Sequence, residues 1–155
     1  MKIDIVVTSC IYPNTFFINN DLTLNDRISN THDNLKIICE ALIKTNLYAN
    51  IYLLESSFFE IKSDILEQLI PFKFKNKINF IQLTFTIDEK NLISKKGKGY
   101  SELLMIKKYL EIRNDTDYFL KISGRYQILN IAKLLKFSIF DCKTDIVIDY
   151  SFFFK

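Results

Sequence analysis

The most informative segment of the chain is Asp117-Tyr118-Phe119-Leu120-Lys121-Ile122-Ser123-Gly124-Arg125-Tyr126. It begins as an apolar strand and ends in a glycine, a permanently charged arginine and an aromatic ring. A second unusual segment lies just upstream and reads Lys95-Lys96-Gly97-Lys98-Gly99-Tyr100-Ser101-Glu102. These two segments contain all three glycines of the chain. Because glycine lets the backbone approach a ligand closely or adopt a positive φ, we expect the two segments to form the walls of one site.

Strand and helix patterns alternate along the chain. Apolar, β-branched segments predict strands at residues 2–10, 50–57, 77–85, 117–126 and 143–150. Apolar residues at helical spacing predict helices at residues 25–45 (with Asn25 or Asp26 as the N-cap), 65–70, 101–113 and 130–137. Residues 11–24 and the lysine-rich residues 88–98 are expected to be loops. This order predicts an α/β fold, a mostly parallel, Rossmann-like sheet with helices on both faces, in one domain spanning residues 1–155.

Composition and charge narrow the classes of function. The net charge of +3 permits an anionic ligand but does not resemble the strongly basic surface of a nucleic-acid-binding protein. Three scattered cysteines without a Cys-x-x-Cys pair support neither a zinc site nor a disulfide framework. Since neither a signal peptide nor an apolar run of about 20 residues is visible, we expect a cytoplasmic protein, free or peripheral to the inner face of the membrane.

Polar side chains and glycines cluster where the predicted strands end, and a parallel sheet forms its ligand crevice at the carboxyl ends of its strands. The candidates are Thr8 and Ser9, then Glu55 and Ser56, then Lys96, Gly97 and Gly99, then Lys121, Ser123, Gly124, Arg125 and Tyr126. Cations neutralise phosphate oxygens and a carboxylate accepts hydrogen bonds from a base or ribose, so this set suits a nucleoside diphosphate. Neither a P-loop nor a dinucleotide-binding glycine motif is present.

Structural alternatives stand beside these assignments. The lysines of the 95–98 segment also suit a solvated loop, and Gly124 also suits a tight turn after a strand. Arg27 opposes the dipole of the predicted first helix, which indicates either a loop position or an arginine recruited for an anion. The single histidine, His32, is typical of a solvated or capping residue near a helix start.

The order of these motifs resembles GT-A fold glycosyltransferases, in particular bacterial and viral proteins of lipopolysaccharide or capsule synthesis. The resemblance rests on the strand ends at Thr8-Ser9 and Glu55-Ser56-Ser57, on Arg27 and Thr31, on residues 96–102, and most of all on the Phe-x-Lys-x-x-Gly-Arg-Tyr pattern of residues 119–126. It implies transfer of a sugar from a UDP- or GDP-sugar donor to a glycan or lipid-linked acceptor.

The resemblance also implies roles for single residues. In that family the acidic residue after the second strand holds the base or ribose, and Glu55 occupies this position. An Asp-x-Asp pair at the end of the fourth strand holds a divalent metal, Mg²⁺ or Mn²⁺, but the matching residues here are Lys121-Ile122-Ser123. The departure implies that Lys121 and Arg125 neutralise the diphosphate in place of a metal. Asp145 and Asp149 remain as alternative late ligands.

Three hypotheses of function follow. Relatives commonly carry more chain after the fifth strand, which often supplies the catalytic base, whereas only residues 151–155 follow it here, so no catalytic residue is assigned. The first hypothesis is an active glycosyltransferase, and the second is a catalytically inactive nucleotide-sugar-binding module. The third is an interaction protein in which the phenylalanines at 152–154 dock a partner or a membrane surface, or join subunits of a homo-oligomer.

Overall fold

Four parallel strands form the sheet of the computed structural model, which describes residues 2–13, 22–113, 115–124, 130–133 and 135. The strands are β1 (Ile3–Ser9), β2 (Asn50–Glu55), β3 (Ile78–Gln82) and β4 (Tyr118–Ser123), in the spatial order β3-β2-β1-β4. Each neighbouring pair is parallel. The prediction of an α/β fold with a parallel sheet is therefore confirmed for this part of the chain.

Helices cover both faces of this sheet. They are α1 (Leu24–Thr45), α2 (Ser63–Leu69), a 3₁₀ helix at Phe72–Lys77, α3 (Ile87–Lys96) and α4 (Lys98–Ile112). In β1, Ile5 and Val7 pack with α1, α2 and the 3₁₀ helix, whereas Val6 packs with α3 and α4. This follows from the period of two in a strand, which sends successive side chains to opposite faces. Because both faces are covered, β1 is an almost continuous run of apolar residues.

Helix α1 begins earlier than the sequence pattern predicts. Its N-cap is Thr23, not Asn25 or Asp26. The Thr23 hydroxyl accepts a hydrogen bond from the Asp26 backbone N–H at 3.2 Å, and the Asp26 carboxylate accepts one from the Thr23 backbone N–H at 2.8 Å. These bonds form a reciprocal capping box. Asp26 is thus the acidic partner of the cap, and its bonds with Thr23 lower the pKa of its carboxyl.

The lysine-rich residues 88–98, expected to be a loop, are mostly helical. Thr86 caps α3 through a second capping box with Glu89, with hydrogen bonds of 3.2 Å and 2.8 Å. Asp88 and Glu89 lie in the first turn and two lysines in the last, which complements the helix dipole. The loop prediction was wrong because acidic residues in the first turn and lysines in the last turn stabilise a helix.

Gly97 separates α3 from α4 and is the only residue between them. It adopts a φ of +84°, and its N–H donates to the carbonyl of Ile93 at 2.8 Å. Glycine adopts this positive φ without the steric cost that a Cβ would bring. Helix α4 then begins at Lys98, three residues before the predicted start at residue 101. Gly99 therefore lies in the first turn of a helix and not in a loop.

Several predicted elements fall wholly or partly outside the described residues. These include the fifth strand at 143–150, the phenylalanines at 152–154, most of the loop at 11–24, and Asp145 and Asp149. Of the predicted helix at 130–137, residues 131–133 and 135 are described and are helical. The predicted third strand is shorter than expected, since β3 ends at Gln82 and not at Phe85. Among the described helices, none has the length and apolar character needed to cross a bilayer.

A cleft at the carboxyl edge of the sheet

The strand order creates a switch point between β1 and β4. From β1 the chain proceeds outward to β2 and β3, with α1 and α2 on one face, and then returns through α3 and α4 on the other face to β4. The crossovers after β1 and before β4 therefore lie on opposite faces. In open α/β sheets, ligands bind outside the carboxyl ends of the strands at such a point.

A cleft of about 320 Å³ lies beside this point, between the start of α4 and β4. Its lining residues are Lys98, Gly99 and Glu102 from the start of α4, and Lys121 and Ser123 from β4. Helix α4 begins at the carboxyl edge because its far end must lead back to the start of β4, where the Tyr118 N–H donates to the Lys2 carbonyl at 3.2 Å. The two glycine-containing segments of the sequence thus meet across one cleft.

The electrostatics of the cleft are dominated by lysine and by a helix end. Lys121 Nζ lies 2.8 Å from Glu102 Oε2, in an ion pair that joins β4 to α4. The two side chains are 31% and 32% exposed, so both reach solvent. Gly97, the N-cap of α4, has no side chain that could cap the first N–H groups of the helix. The lining of the cleft therefore combines two lysines and the positive end of a helix dipole with one glutamate.

The donor set of this cleft does not fit a divalent metal ion. Mg²⁺ and Mn²⁺ prefer several oxygen ligands, whereas the described lining residues offer one carboxylate that already pairs with Lys121. No cluster of three or more histidine, cysteine, aspartate or glutamate residues occurs within the described ranges.

Glu55, the predicted nucleoside ligand, is fully buried and hydrogen-bonded inside the protein. Its Oε1 accepts hydrogen bonds from the backbone N–H groups of Ile11 at 3.0 Å and Ser57 at 2.8 Å, and from the Ser57 hydroxyl. Its Oε2 accepts one from the hydroxyl of Ser9. In register with Ser9, it lies on the α1 face of β2, whereas Lys121 pairs with Val6 on the α4 face. The structure therefore does not bring Glu55 and Lys121 together.

The hydroxyl residues at the strand ends are also bonded internally. Thr8 Oγ1 donates to the carbonyl of Ile122 at 3.3 Å. The backbone N–H and the hydroxyl of Ser56 both donate to the Ser9 carbonyl at 3.0 Å. Thr8, Ser9 and Ser56 are each 5% exposed or less. Ser9 and Ser56 thus join the carboxyl ends of β1 and β2, and Thr8 joins β1 to β4.

Arg27 occupies a helical position and is buried. It is 4% exposed in the first turn of α1, and its Nη1 donates to the carbonyl of Cys10 at 3.2 Å. Of the two interpretations of its sequence position, the loop is therefore wrong. The guanidinium instead supports the backbone that leaves β1. His32 lies further along α1 at 36% side-chain exposure, 3.2 Å from Asp33, as a solvated residue would.

Gly124, at the end of β4, packs closely against neighbouring segments. A Cβ atom there would lie 3.0 Å from Thr31 Oγ1 and 3.1 Å from the carbonyl oxygen of Thr8. Its N–H donates to that carbonyl at 2.8 Å, and its own carbonyl accepts from Asn34 Nδ2 at 3.1 Å. Glycine is thus favoured here, because both α1 and the end of β1 lie close to the end of β4. The next predicted site residues, Arg125 and Tyr126, lie outside the described residues.

Lys96 does not line the cleft. It ends α3 and its Nζ lies 4.9 Å from the centre of the Tyr100 ring, a cation–π contact. Lys98 and Glu102, by contrast, line the cleft but were not among the predicted site residues. Their four-residue spacing would have indicated one helix face, had the helix start been placed at the glycine that separates α3 from α4.

A second polar cluster, at the amino edge of the sheet, escaped the sequence interpretation. The buried Asp4 accepts hydrogen bonds from Asn50 Nδ2 at 2.8 Å, Thr116 Oγ1 at 2.6 Å and the Tyr109 hydroxyl, and Arg113 Nε lies 3.5 Å away. Burial raises the pKa of Asp4, but these bonds and the arginine charge outweigh it, so that the pKa is lowered. Burial and the bond to Asp4 raise the pKa of Tyr109.

Comparison of the chain with family models, with curated proteins and with solved structures gives no match.

Proposed function

We propose that the cleft binds the diphosphate of a nucleotide sugar, and that the protein is a GT-A-like glycosyltransferase. It would transfer the sugar to a glycan acceptor of lipopolysaccharide or capsule type. The observation that carries the proposal is the cleft itself. Lys98 and Lys121 line it together with the first turn of α4, beside the carboxyl end of β4.

The chemistry of the cleft suits a diphosphate in three respects. Lysine is a compact cation that neutralises phosphate oxygens as a point charge. The start of a helix presents backbone N–H groups and a positive dipole end to an anion. Gly99 adds no bulk, and apart from its chain neighbours and its own helix backbone no described atom lies within 4 Å of the place where its Cβ would be. Positive charge at this point would also stabilise a diphosphate leaving group as its charge develops.

The nucleoside end of the ligand is not assigned to Glu55. Glu55 is fully buried, so a base or ribose could reach its carboxylate only by displacing the groups that surround it, among them the donors from Ser9, Ile11 and Ser57. Displacement would leave a buried N–H or hydroxyl group unsatisfied, which is unfavourable. The proposal therefore rests on the phosphate side of the cleft.

A binding module without turnover is the second candidate. The specific observation in its favour is that the one carboxylate among the described lining residues, Glu102, is engaged by Lys121. A glycosyl transfer needs a group that accepts the proton of the attacking hydroxyl. In its paired state Glu102 is a poor candidate for this task.

Calorimetric titration with UDP and GDP tests the binding step. We expect Lys121→Ala to weaken binding of the preferred diphosphate by about 1–3 kcal/mol, the range for a hydrogen bond to a charged group. Lys107→Ala is the matched control, because Lys107 is 72% exposed on the same helix as Glu102 and pairs only weakly, at 3.8 Å, with Glu111. Absence of diphosphate binding by the unaltered protein, or equal losses in both variants, would refute the proposed site.

Release of free nucleotide then separates the enzyme from the binding module. UDP-glucose and GDP-mannose serve as donors, with a bacterial surface glycan as acceptor. Acceptor-dependent release of UDP or GDP would support the transferase, whereas binding without release would support the module.

A further inference from the structure

The ion pair between Glu102 and Lys121 spans the cleft from one wall to the other. Its 2.8 Å separation is that of a charge-assisted hydrogen bond, and about a third of each side chain is exposed. Both residues line the cleft. Any anion that approaches Lys121 therefore meets a carboxylate already bound to it.

We infer that Glu102 is a specificity-determining residue that competes with the ligand for Lys121. This inference rests on the proposed function, since it concerns the same diphosphate site. Because Glu102 is attached to the protein, its carboxylate is present at an effective concentration on the order of millimolar or more. A singly charged ligand forms the same kind of bond with Lys121 as Glu102 does, so replacing Glu102 adds little binding free energy. A diphosphate supplies more charge and more acceptor oxygens, and so displaces the glutamate.

The size of this effect follows from the exposure of the pair. For a partly exposed ion pair, the bonded state is favoured over the separated state by a factor of about one to five. The apparent affinity of a ligand is reduced by the fraction of protein that is ready to bind it. Removing the competitor should therefore tighten ligand binding by about two- to sixfold.

The test is calorimetric titration of the full chain with inorganic pyrophosphate. Glu102→Gln keeps the size of the side chain and removes its charge. Glu111→Gln is the matched control, because Glu111 lies on the same helix, is 61% exposed and changes the net charge equally. We expect tighter binding by about two- to sixfold in Glu102→Gln and no comparable change in Glu111→Gln.

A second pair of variants tests whether the effect acts through Lys121. In a Lys121→Met background, Glu102→Gln should not tighten pyrophosphate binding, because the lysine for which Glu102 and the ligand compete is absent. A gain that persists in this background would show simple charge repulsion and overturn the inference. Unchanged or weaker binding in Glu102→Gln alone, with pyrophosphate bound by the unaltered protein, would overturn it while leaving the proposed function intact. If neither the unaltered protein nor Glu102→Gln binds pyrophosphate, the proposed function falls, and this inference with it.

Discussion

Replacing Glu55 by alanine should destabilise the protein strongly. The substitution removes the acceptor of two buried backbone N–H groups, those of Ile11 and Ser57, which belong to residues 1% and 2% exposed. Each unsatisfied buried group costs about 1–3 kcal/mol, so we expect a loss of about 2–6 kcal/mol. That is a large part of the roughly 5–15 kcal/mol that stabilises a typical domain.

Urea unfolding followed by circular dichroism measures this loss. With a slope of about 1–3 kcal/mol per molar urea, the midpoint should fall by about 0.7 M or more. Glu60→Ala is the control, because Glu60 is an exposed carboxylate in the loop after β2. Glu55→Gln should be milder, since the amide oxygen can still accept from both N–H groups. A midpoint that stays unchanged or rises in Glu55→Ala would refute the structural role and favour a ligand-binding one, since binding residues often reduce stability.

Two further substitutions test close packing and the buried aspartate. Gly124→Ala should lower the stability by about 1–3 kcal/mol, because its Cβ would lie 3.0 Å and 3.1 Å from two oxygens. Gly99→Ala should be neutral or stabilising, because no atom from outside its own helix lies within 4 Å of the new Cβ. Equal unfolding midpoints of the two variants would contradict this. The lowered pKa of Asp4 means that its stabilisation is present above the ordinary value of 3.8 and is lost as pH falls through the lower folded-state pKa. Tyr109→Phe removes one of its donors, so thermal unfolding should show lower stability at pH 7 and a smaller loss in acid than the unaltered protein. Tyr48→Phe, at an 87% exposed tyrosine, should change neither, and a Tyr109→Phe curve parallel to the unaltered one would count against the network.

Local patterns were sufficient to predict the strands. The four described strands follow from short apolar, β-branched runs, and their parallel arrangement follows from the helices between them. The start of α1 was less well predicted because Asn25 and Asp26 are themselves favourable N-cap residues and compete with Thr23 for that position. Thr23 and Thr86 each precede an acidic residue by three positions, a capping signature that is visible in the sequence.

The candidate site could be predicted only in part, for a different reason. The two glycine-containing segments meet because one leads into α4 and the other ends β4, at the same edge of the sheet. The use of Glu55 could not be foreseen, because its partners include Ser9 and Ile11, 46 and 44 residues away. Whether a buried carboxylate faces a ligand or its own backbone depends on contacts between distant segments. No local pattern in a single sequence indicates such contacts between distant segments.

The buried carboxylates of Asp4 and Glu55 also differ in when their partners are synthesised. In the part of the chain that the structure describes, the donors to Glu55 are all present once the chain has reached Ser57, so the carboxyl end of β1 can form its contacts early. At the other end of the same strand, Asp4 waits for Tyr109 and Thr116, which are 105 and 112 residues further on. We therefore expect a nascent chain arrested before residue 109 to lack two of the donors to Asp4. The amino end of β1 should become resistant to protease only when residues up to Thr116 have emerged from the ribosome.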